Sequence, residues 1–185
     1  MTYLDTPMSG GVIGAHAATL TFMVGGSAKE FEAAKGVLEG MGKNFFHCGG
    51  PGSGEIAKLT NNLILGISMV GASEGMAIGE KLGIDPVVLQ KILAVSTARS
   101  YCIDTNNPRP GIFPNVPASN DYKGGFAVGL IKKDMGLALQ AAKTANADTS
   151  LLEHSMDYYQ TLEDAGEGKK DFGYVFQYIM NNKQI

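Results

Sequence analysis

The sequence predicts a mainly α fold entered through a short α/β segment, and three observations carry that prediction. Strand-like and helix-like runs alternate as far as His47, whereas everything from Ser53 onward has helical spacing. The run from about Ser53 to Leu82 is long for a globular helix, with Ile56, Leu59, Leu63, Ile67 and Val70 recurring at helical intervals. The 185 residues are 44% hydrophobic and 18% charged, enough apolar material for one ordinary domain and part of another. The expected organisation is the C-terminal part of an α/β domain over residues 1–51, a long connecting helix, and an all-helical domain over 52–185.

Taken in order, Tyr3 to Asp5 is a short strand candidate ending at Pro7 and the turn Ser9-Gly10-Gly11. Thr19 to Val24 is β-branched and apolar, bounded by Gly25-Gly26, and is the best strand in the chain. Ser27 followed by Glu30 forms a capping box that opens a helix from about Ala28 to Met41, with Gly42 as its stop. Asn44 to His47 is a further strand, leading into the glycine-rich turn before the long helix.

In that helix Gly71, Gly75 and Gly79 stand four residues apart and leave a shallow ridge where another helix can approach. Each interior glycine costs about 0.5–1 kcal/mol relative to alanine, so close packing must offset them. This points to a buried, partner-facing helix, and with it a homo-oligomer, a dimer or tetramer is expected. Gly83 ends the helix, and Asp85 with Pro86 at the first helical position restarts one that runs to about Val95. Asn106 to Gly125 is a long connection holding Pro108, Pro110, Pro114 and Pro117, a length that points to function or to wrapping a partner. Three helices follow, at about Val128–Ala145, Ser150–Ala165 stopped by Gly166, and Phe172–Asn182 capped by Asp171.

Several classes are disfavoured. The net charge of -3 spreads without long runs, so no nucleic-acid footprint is expected. Cys48 and Cys102 lack metal spacing, and His47 beside Cys48 on a strand points to the opposite face. His16 and His154 complete no ligand set, so no metal site is expected. Neither a secretory leader nor a charge-free apolar span is expected.

The chemistry concentrates in Gly52-Ser53-Gly54-Glu55-Ile56-Ala57-Lys58-Leu59-Thr60-Asn61-Asn62. Lys58 and Asn62 are four residues apart and share a helix face, with Asn61 bordering it. A lysine at an apolar helix entrance is desolvated, which disfavours its ammonium form. A shift from about 10.4 to roughly 7–8 would make it a general acid or base near neutrality. The same stretch reads as G-x-G-x-x-A, but a dinucleotide fingerprint needs a second strand ending in an acidic residue about 20 positions on. Here the helical pattern continues through that region, with Glu74 inside it, and no P-loop lysine follows the glycines.

On residues alone, alternatives stay open. Lys58 is a solvated helix lysine or an acid–base group, and Ser9-Gly10-Gly11 is a generic turn. Lys132-Lys133-Asp134 is a charge cluster, and Phe126 is core or substrate wall. Tyr158, Tyr159, Phe172, Phe176 and Tyr178 read as packing.

Three segments in order change the balance. Asp5-Thr6-Pro7-Met8-Ser9-Gly10-Gly11 resembles the D-x-P-x-S-G-G substrate-binding motif of the β-hydroxyacid dehydrogenases. Gly52 to Asn62 resembles their catalytic G-x-G-x-x-x-K-x-x-N-N. Asn107-Pro108-Arg109-Pro110-Gly111 with Asn120-Asp121-Tyr122-Lys123-Gly124-Gly125-Phe126 resembles a loop of the 3-hydroxyisobutyrate dehydrogenase branch.

The resemblance implies a Rossmann-type remnant followed by a 6-phosphogluconate-dehydrogenase-like helical domain. It implies NAD-linked oxidation, with NADP as the other dinucleotide, of a small 3-hydroxy acid to its semialdehyde in valine catabolism, in the mitochondrial matrix or cytoplasm. Lys58 is then the catalytic lysine, and Asn61 and Asn62 hold the substrate carboxylate or hydroxyl. Ser9, Gly10 and Gly11 bind the carboxylate as an anion nest. Lys133 and Phe126 approach the cofactor, and Asp134 orients that region. The family's N-terminal G-x-G-x-x-G is not found here, so an incomplete nucleotide site is expected within these residues. The second functional class is a non-catalytic helical dimerisation module or an inactive fragment of that family, and the retained Lys58 argues for the enzyme lineage.

Overall fold

The computed structural model describes residues 3–182, in two compact units, Met1–Asn61 and Asn62–Ile185. The first unit holds a three-stranded sheet in the order β1 (Met8–Ser9), β2 (Leu20–Gly25), β3 (Gly42–Gly49). Its helices are α1 (Gly11–His16), α2 (Ala28–Leu38) and the start of α3 (Ser53–Lys81). β2 and β3 run parallel, with Phe22 opposite Phe45, so they need a crossover and α2 supplies it. Glu30 N–H donates to Ser27 Oγ at 3.3 Å, and Ser27 N–H donates to the Glu30 carboxylate at 3.1 Å, which completes the capping box. Alternation along β2 turns Leu20, Phe22 and Val24 onto Phe31 and Leu38 of α2, and these five form the core of the sheet region.

Several expected boundaries move. Tyr3–Asp5 is not a strand: Asp5 makes a single bridge to Gly25, and paired strand begins only at Met8. Pro7 has no N–H to extend the ladder and contributes its carbonyl alone, to Met23 N–H at 2.9 Å. Gly11–His16 is helical where only a turn was read. The helix expected to reach Met41 ends at Leu38, where Gly40 N–H to Val37 O and Met41 N–H to Leu38 O tighten the last turn. β3 exceeds Asn44–His47 because it pairs along the whole of β2, from Leu20 opposite Gly42 to Gly25 opposite Gly49.

The second unit continues α3 and adds α4 (Pro86–Val95), α5 (Tyr101–Asp104), α6 (Val128–Ala145), α7 (Ser150–Asp164) and α8 (Val175–Met180). Met69, Met76, Ile131, Met135, Leu152, Tyr159, Leu162 and Val175 are its buried centre. Tyr159 of α7 donates its hydroxyl to the Gly66 carbonyl of α3 at 2.9 Å, and a Cβ at Gly66 would stand 2.3 Å from Met135 Sδ. Of the expected glycine ridge, Gly79 packs under Leu89 of α4, while Gly71 and Gly75 are exposed with nothing within 4 Å. α3 is long and apolar enough to cross a membrane, but these contacts with α4, α6 and α7 make it a core helix.

The long connection is held in place. Arg109 makes two bonds to the Glu80 carboxylate, at 3.0 and 2.8 Å, and buried Tyr122 donates to the Pro108 carbonyl at 2.7 Å. A 3-10 turn at Pro117–Asn120 also lies in it. The last expected helix divides into a 3-10 turn, Phe172–Tyr174, and α8.

Two glycine substitutions should separate packing from propensity. A Cβ at Gly54 would lie 2.3 Å from the Met23 carbonyl oxygen, so Gly54→Ala is expected to destabilise by about 1–3 kcal/mol. Gly36, inside α2, meets nothing within 4 Å, and Gly36→Ala is expected to stabilise by about 0.5–1 kcal/mol. Urea unfolding of both variants measures the contrast.

Candidate active site

In the first unit the site begins with a buried carboxylate that the sequence marked only as a motif letter. Asp5 accepts from Gly52 N–H at 2.7 Å and Glu55 N–H at 3.1 Å, at the start of α3. A helix N-terminus leaves its first N–H groups without intrahelical acceptors and carries partial positive charge, so an anion there is stabilising. Burial works to raise the Asp5 pKa, but the backbone N–H groups of Gly52, Glu55 and Gly54 outweigh it, and the net shift is downward.

Two glycines make room for this contact. A Cβ at Gly25 would sit 2.4 Å from both Asp5 carboxylate oxygens, and one at Gly54 would sit 2.8 Å from Oδ2. The second glycine of the G-x-G pattern thus lets α3 approach β2 and the carboxylate. The N–H groups that a pyrophosphate would use there are taken by Asp5.

The arm leaving Asp5 leads to the predicted substrate turn. Asp5 exchanges backbone bonds with Gly25 at 3.2 and 2.8 Å, Pro7 O accepts from Met23 N–H, and Ser9 pairs with Thr21. Gly10 and Gly11 then have φ of +130° and +59°, conformations that favour glycine. Gly11 is exposed, with nothing within 4 Å of where a Cβ would stand, so a small anion can come close to its backbone. Lys58 stands half-buried on the second turn of α3, and Asn61 is exposed on the same helix.

In the second unit the structure joins three more predicted residues. Asn62 is 1% exposed and donates its amide to Asp134 Oδ2 at 2.5 Å. Lys133 Nζ is 2.9 Å from the other carboxylate oxygen, Oδ1, with 61% of its side chain exposed. Phe126 is half-buried, its ring edge-on to Phe172 with centroids 6.0 Å apart.

Its backbone N–H donates at 2.9 Å to Asp171, a residue that sequence reading found only as a helix cap. Asp171 also accepts from Gly173 N–H at 2.9 Å; burial pushes its pKa up, against the opposing pull of these bonds. The local cap to Gly173 was legible from spacing, whereas the partner at position 126 left no local signal. An open cavity of about 590 Å³, bordered by Asp121, Tyr122, Tyr174 and Gln177, includes none of the predicted site residues. Among the described residues no group of three His, Cys, Asp or Glu is placed to hold a metal, and His47 Nε2 bonds the Gly26 carbonyl at 2.8 Å.

Residues 52–179 match the family described as NAD-binding of NADP-dependent 3-hydroxyisobutyrate dehydrogenase. Residues 1–50 match the NAD binding domain of 6-phosphogluconate dehydrogenase. A probable mitochondrial 3-hydroxyisobutyrate dehydrogenase of Dictyostelium discoideum is 47% identical over 181 residues, 98% of this chain and 56% of that protein. The 3-hydroxyisobutyrate dehydrogenase of Pseudomonas aeruginosa is 50% identical over 151 residues, 82% of this chain and 51% of that protein. A solved structure of Mycobacterium tuberculosis 3-hydroxyisobutyrate dehydrogenase with L-serine superposes with a TM-score of 0.90 at 39% identity, covering 95% of this chain and 60% of that one. The chain spans about half the length of the curated relatives it matches.

The lowered Asp5 pKa has a definite sign. The folded state binds that proton less tightly than the unfolded chain, so the contribution is full above the ordinary value of 3.8 and is lost as pH falls through the lower folded value. Asp5→Asn is expected to lower the urea midpoint at neutral pH, with the gap from the unsubstituted chain closing in acid. Unfolding curves at stepped pH check it.

Proposed function

The chain belongs to the 3-hydroxyisobutyrate dehydrogenase family, and from that premise we propose that it carries the substrate-binding and catalytic portion of an NAD- or NADP-linked oxidoreductase. The substrate is a small 3-hydroxy acid, oxidised at its hydroxyl carbon to the semialdehyde. The observation that carries this reading is that Asp5, four residues before the Ser9-Gly10-Gly11 turn on an arm paired to β2, also anchors the start of Lys58's helix.

In the oxidation, Lys58 Nζ accepts the substrate hydroxyl proton; in the reverse direction it returns that proton to the forming alkoxide. The Ser9 hydroxyl and the N–H groups of Gly10 and Gly11 hold the substrate carboxylate. Asn61 and Asn62 donate to the carboxylate or hydroxyl, and Asp134 fixes the Asn62 amide in one orientation. The residues present fit the hydride-accepting end of a dinucleotide: Lys133 offers a largely exposed side chain whose ammonium pairs with Asp134, and Phe126 an aromatic wall. The bound cofactor supplies the hydride acceptor. The N-terminus of α3 does not fit the pyrophosphate end, since Asp5 holds its N–H groups.

The accompanying fold reading is the C-terminal part of a Rossmann-type domain over residues 1–51 and a 6-phosphogluconate-dehydrogenase-like helical domain over 52–185. The parallel β2–α2–β3 unit and the two family matches support it. The setting is the mitochondrial matrix or the cytoplasm; the Dictyostelium relative is a mitochondrial protein by name. Self-association as a dimer or tetramer completes the reading. Ile64, Gly71, Gly75 and Ile78 are exposed along one stripe of α3, with Leu82 exposed just past its end, and Val88, Ile92 and Val95 are exposed on α4.

NADH formation from 3-hydroxyisobutyrate tests the reaction, using the chain alone and joined to the part of the Dictyostelium relative outside the shared region. Lys58→Ala is expected to lower kcat by about 10²–10⁴-fold; undiminished turnover in the folded variant would count against Lys58. Light scattering after gel filtration tests the assembly. Gly75→Lys is expected to shift the oligomer to monomer, and an unchanged mass would refute the stripe as its interface.

A further inference from the structure

We propose that Asp5 is the positioning residue of this site, fixing through one buried carboxylate where Lys58 stands relative to the Ser9-Gly10-Gly11 turn; this rests on the reading of Lys58 as the catalytic lysine. Asp5 is four residues before Ser9, and its acceptor contact with Glu55 N–H is three residues before Lys58. The substrate turn and the lysine, distant in sequence, are thus each within about one helical turn's length of chain from the same group. The intervening segments are stiff. One is bridged to β2 at Asp5, Pro7, Met8 and Ser9, and the other is α-helix.

The cap comes from a remote residue. Ser53, beside the helix start, turns its hydroxyl to the Gly50 carbonyl at 2.7 Å, while the carboxylate holding Gly52 and Glu55 comes from the sheet edge. Any rotation or slide of α3 that moved Lys58 would have to break those two bonds. It would also drive Gly54 away from its seat on the Met23 carbonyl and the Gly25 amide. Charge acts separately from position, on how readily the lysine holds its proton. A helix N-terminus carries about half a positive charge, which disfavours a lysine ammonium close by, and a fixed anion offsets it. Asp5 therefore acts on Lys58 through the helix, without any contact being required between the two side chains.

Asp5→Asn keeps the size but removes the charge and one acceptor. Asp5→Glu keeps the charge but is a methylene too long for a cradle in which Gly25 already lies against the carboxylate. In both, amide exchange at Gly52 and Glu55 is expected to accelerate about tenfold or more while Ile131 in α6 stays protected. Reductive methylation of Lys58, read against Lys29 by mass spectrometry, is expected to change in rate about threefold or more. In the chain joined to the remainder of its relative, kcat is expected to fall about 10–100-fold with KM less affected.

Folded Asp5 variants whose Lys58 methylation rate and kcat stay within about twofold of the unsubstituted protein would overturn the proposal. Lys58→Ala separates the two claims: if it leaves kcat unchanged, the reading of Lys58 fails whatever the Asp5 variants do. If Asp5→Asn does not fold, Gly25→Ala, whose Cβ crowds the carboxylate, is expected to give the same signature. Unchanged values in that variant would also overturn the proposal.

Discussion

A carboxylate held by the first N–H groups of a long helix is the constraint on which the amino-terminal unit depends. A helix as apolar as α3 needs an acceptor for the donors at its start, and the glycine-rich turn before it brings little side chain of its own. Asp5 meets the need from the sheet edge, and other features follow. Gly25 and Gly54 must be glycine because the carboxylate and the β2 backbone fill the space a Cβ would take. The G-x-G pattern is therefore a packing signature here. It looks like a nucleotide fingerprint because both solve the same problem, close approach to a helix N-terminus, with an anion in the middle.

The same device recurs at the other end of the chain. Asp134 gives one oxygen to the Asn62 amide and the other to Lys133, joining α3 to α6. Asp171 takes the N–H groups of Phe126 and Gly173, tying the end of the long connection to the turn before α8. In each case an acidic side chain orders a segment remote in sequence, so predicted site residues outside the helices, such as Phe126, are still tied in place. That is how a polar site keeps its geometry.

What could be read from sequence was what local chemistry determines. The start of α4 was legible because Asp85 and Pro86 announce it, and both ends of α6 followed from its periodicity. α2 began where the capping box placed it but ended early, since the closing turn depends on backbone bonds that no side chain signals. α1 was hidden because Ser9-Gly10-Gly11 read as a turn and nothing after it announced a helix. The expected ridge on α3 was only partly right for packing within the chain: Gly79 meets Leu89, whereas the tightest contact in mid-helix is at Gly66, which the four-residue pattern did not include. Lys58 itself was ambiguous on spacing alone, and its acid–base reading came from resemblance to a family. Long-range pairs such as Asp5 with Gly52 or Phe126 with Asp171 were invisible, because nothing in either segment names its partner.

The most direct test of the account is to map where a 3-hydroxy acid binds. Amide and lysine side-chain resonances of the labelled chain would be followed while 3-hydroxyisobutyrate is titrated to saturation. The account predicts saturable shifts at Ser9, Gly10, Gly11 and Lys58, with Tyr174 and Gln177 at the open cavity unmoved. Saturable shifts confined to that cavity, with Ser9 and Lys58 silent, would contradict it.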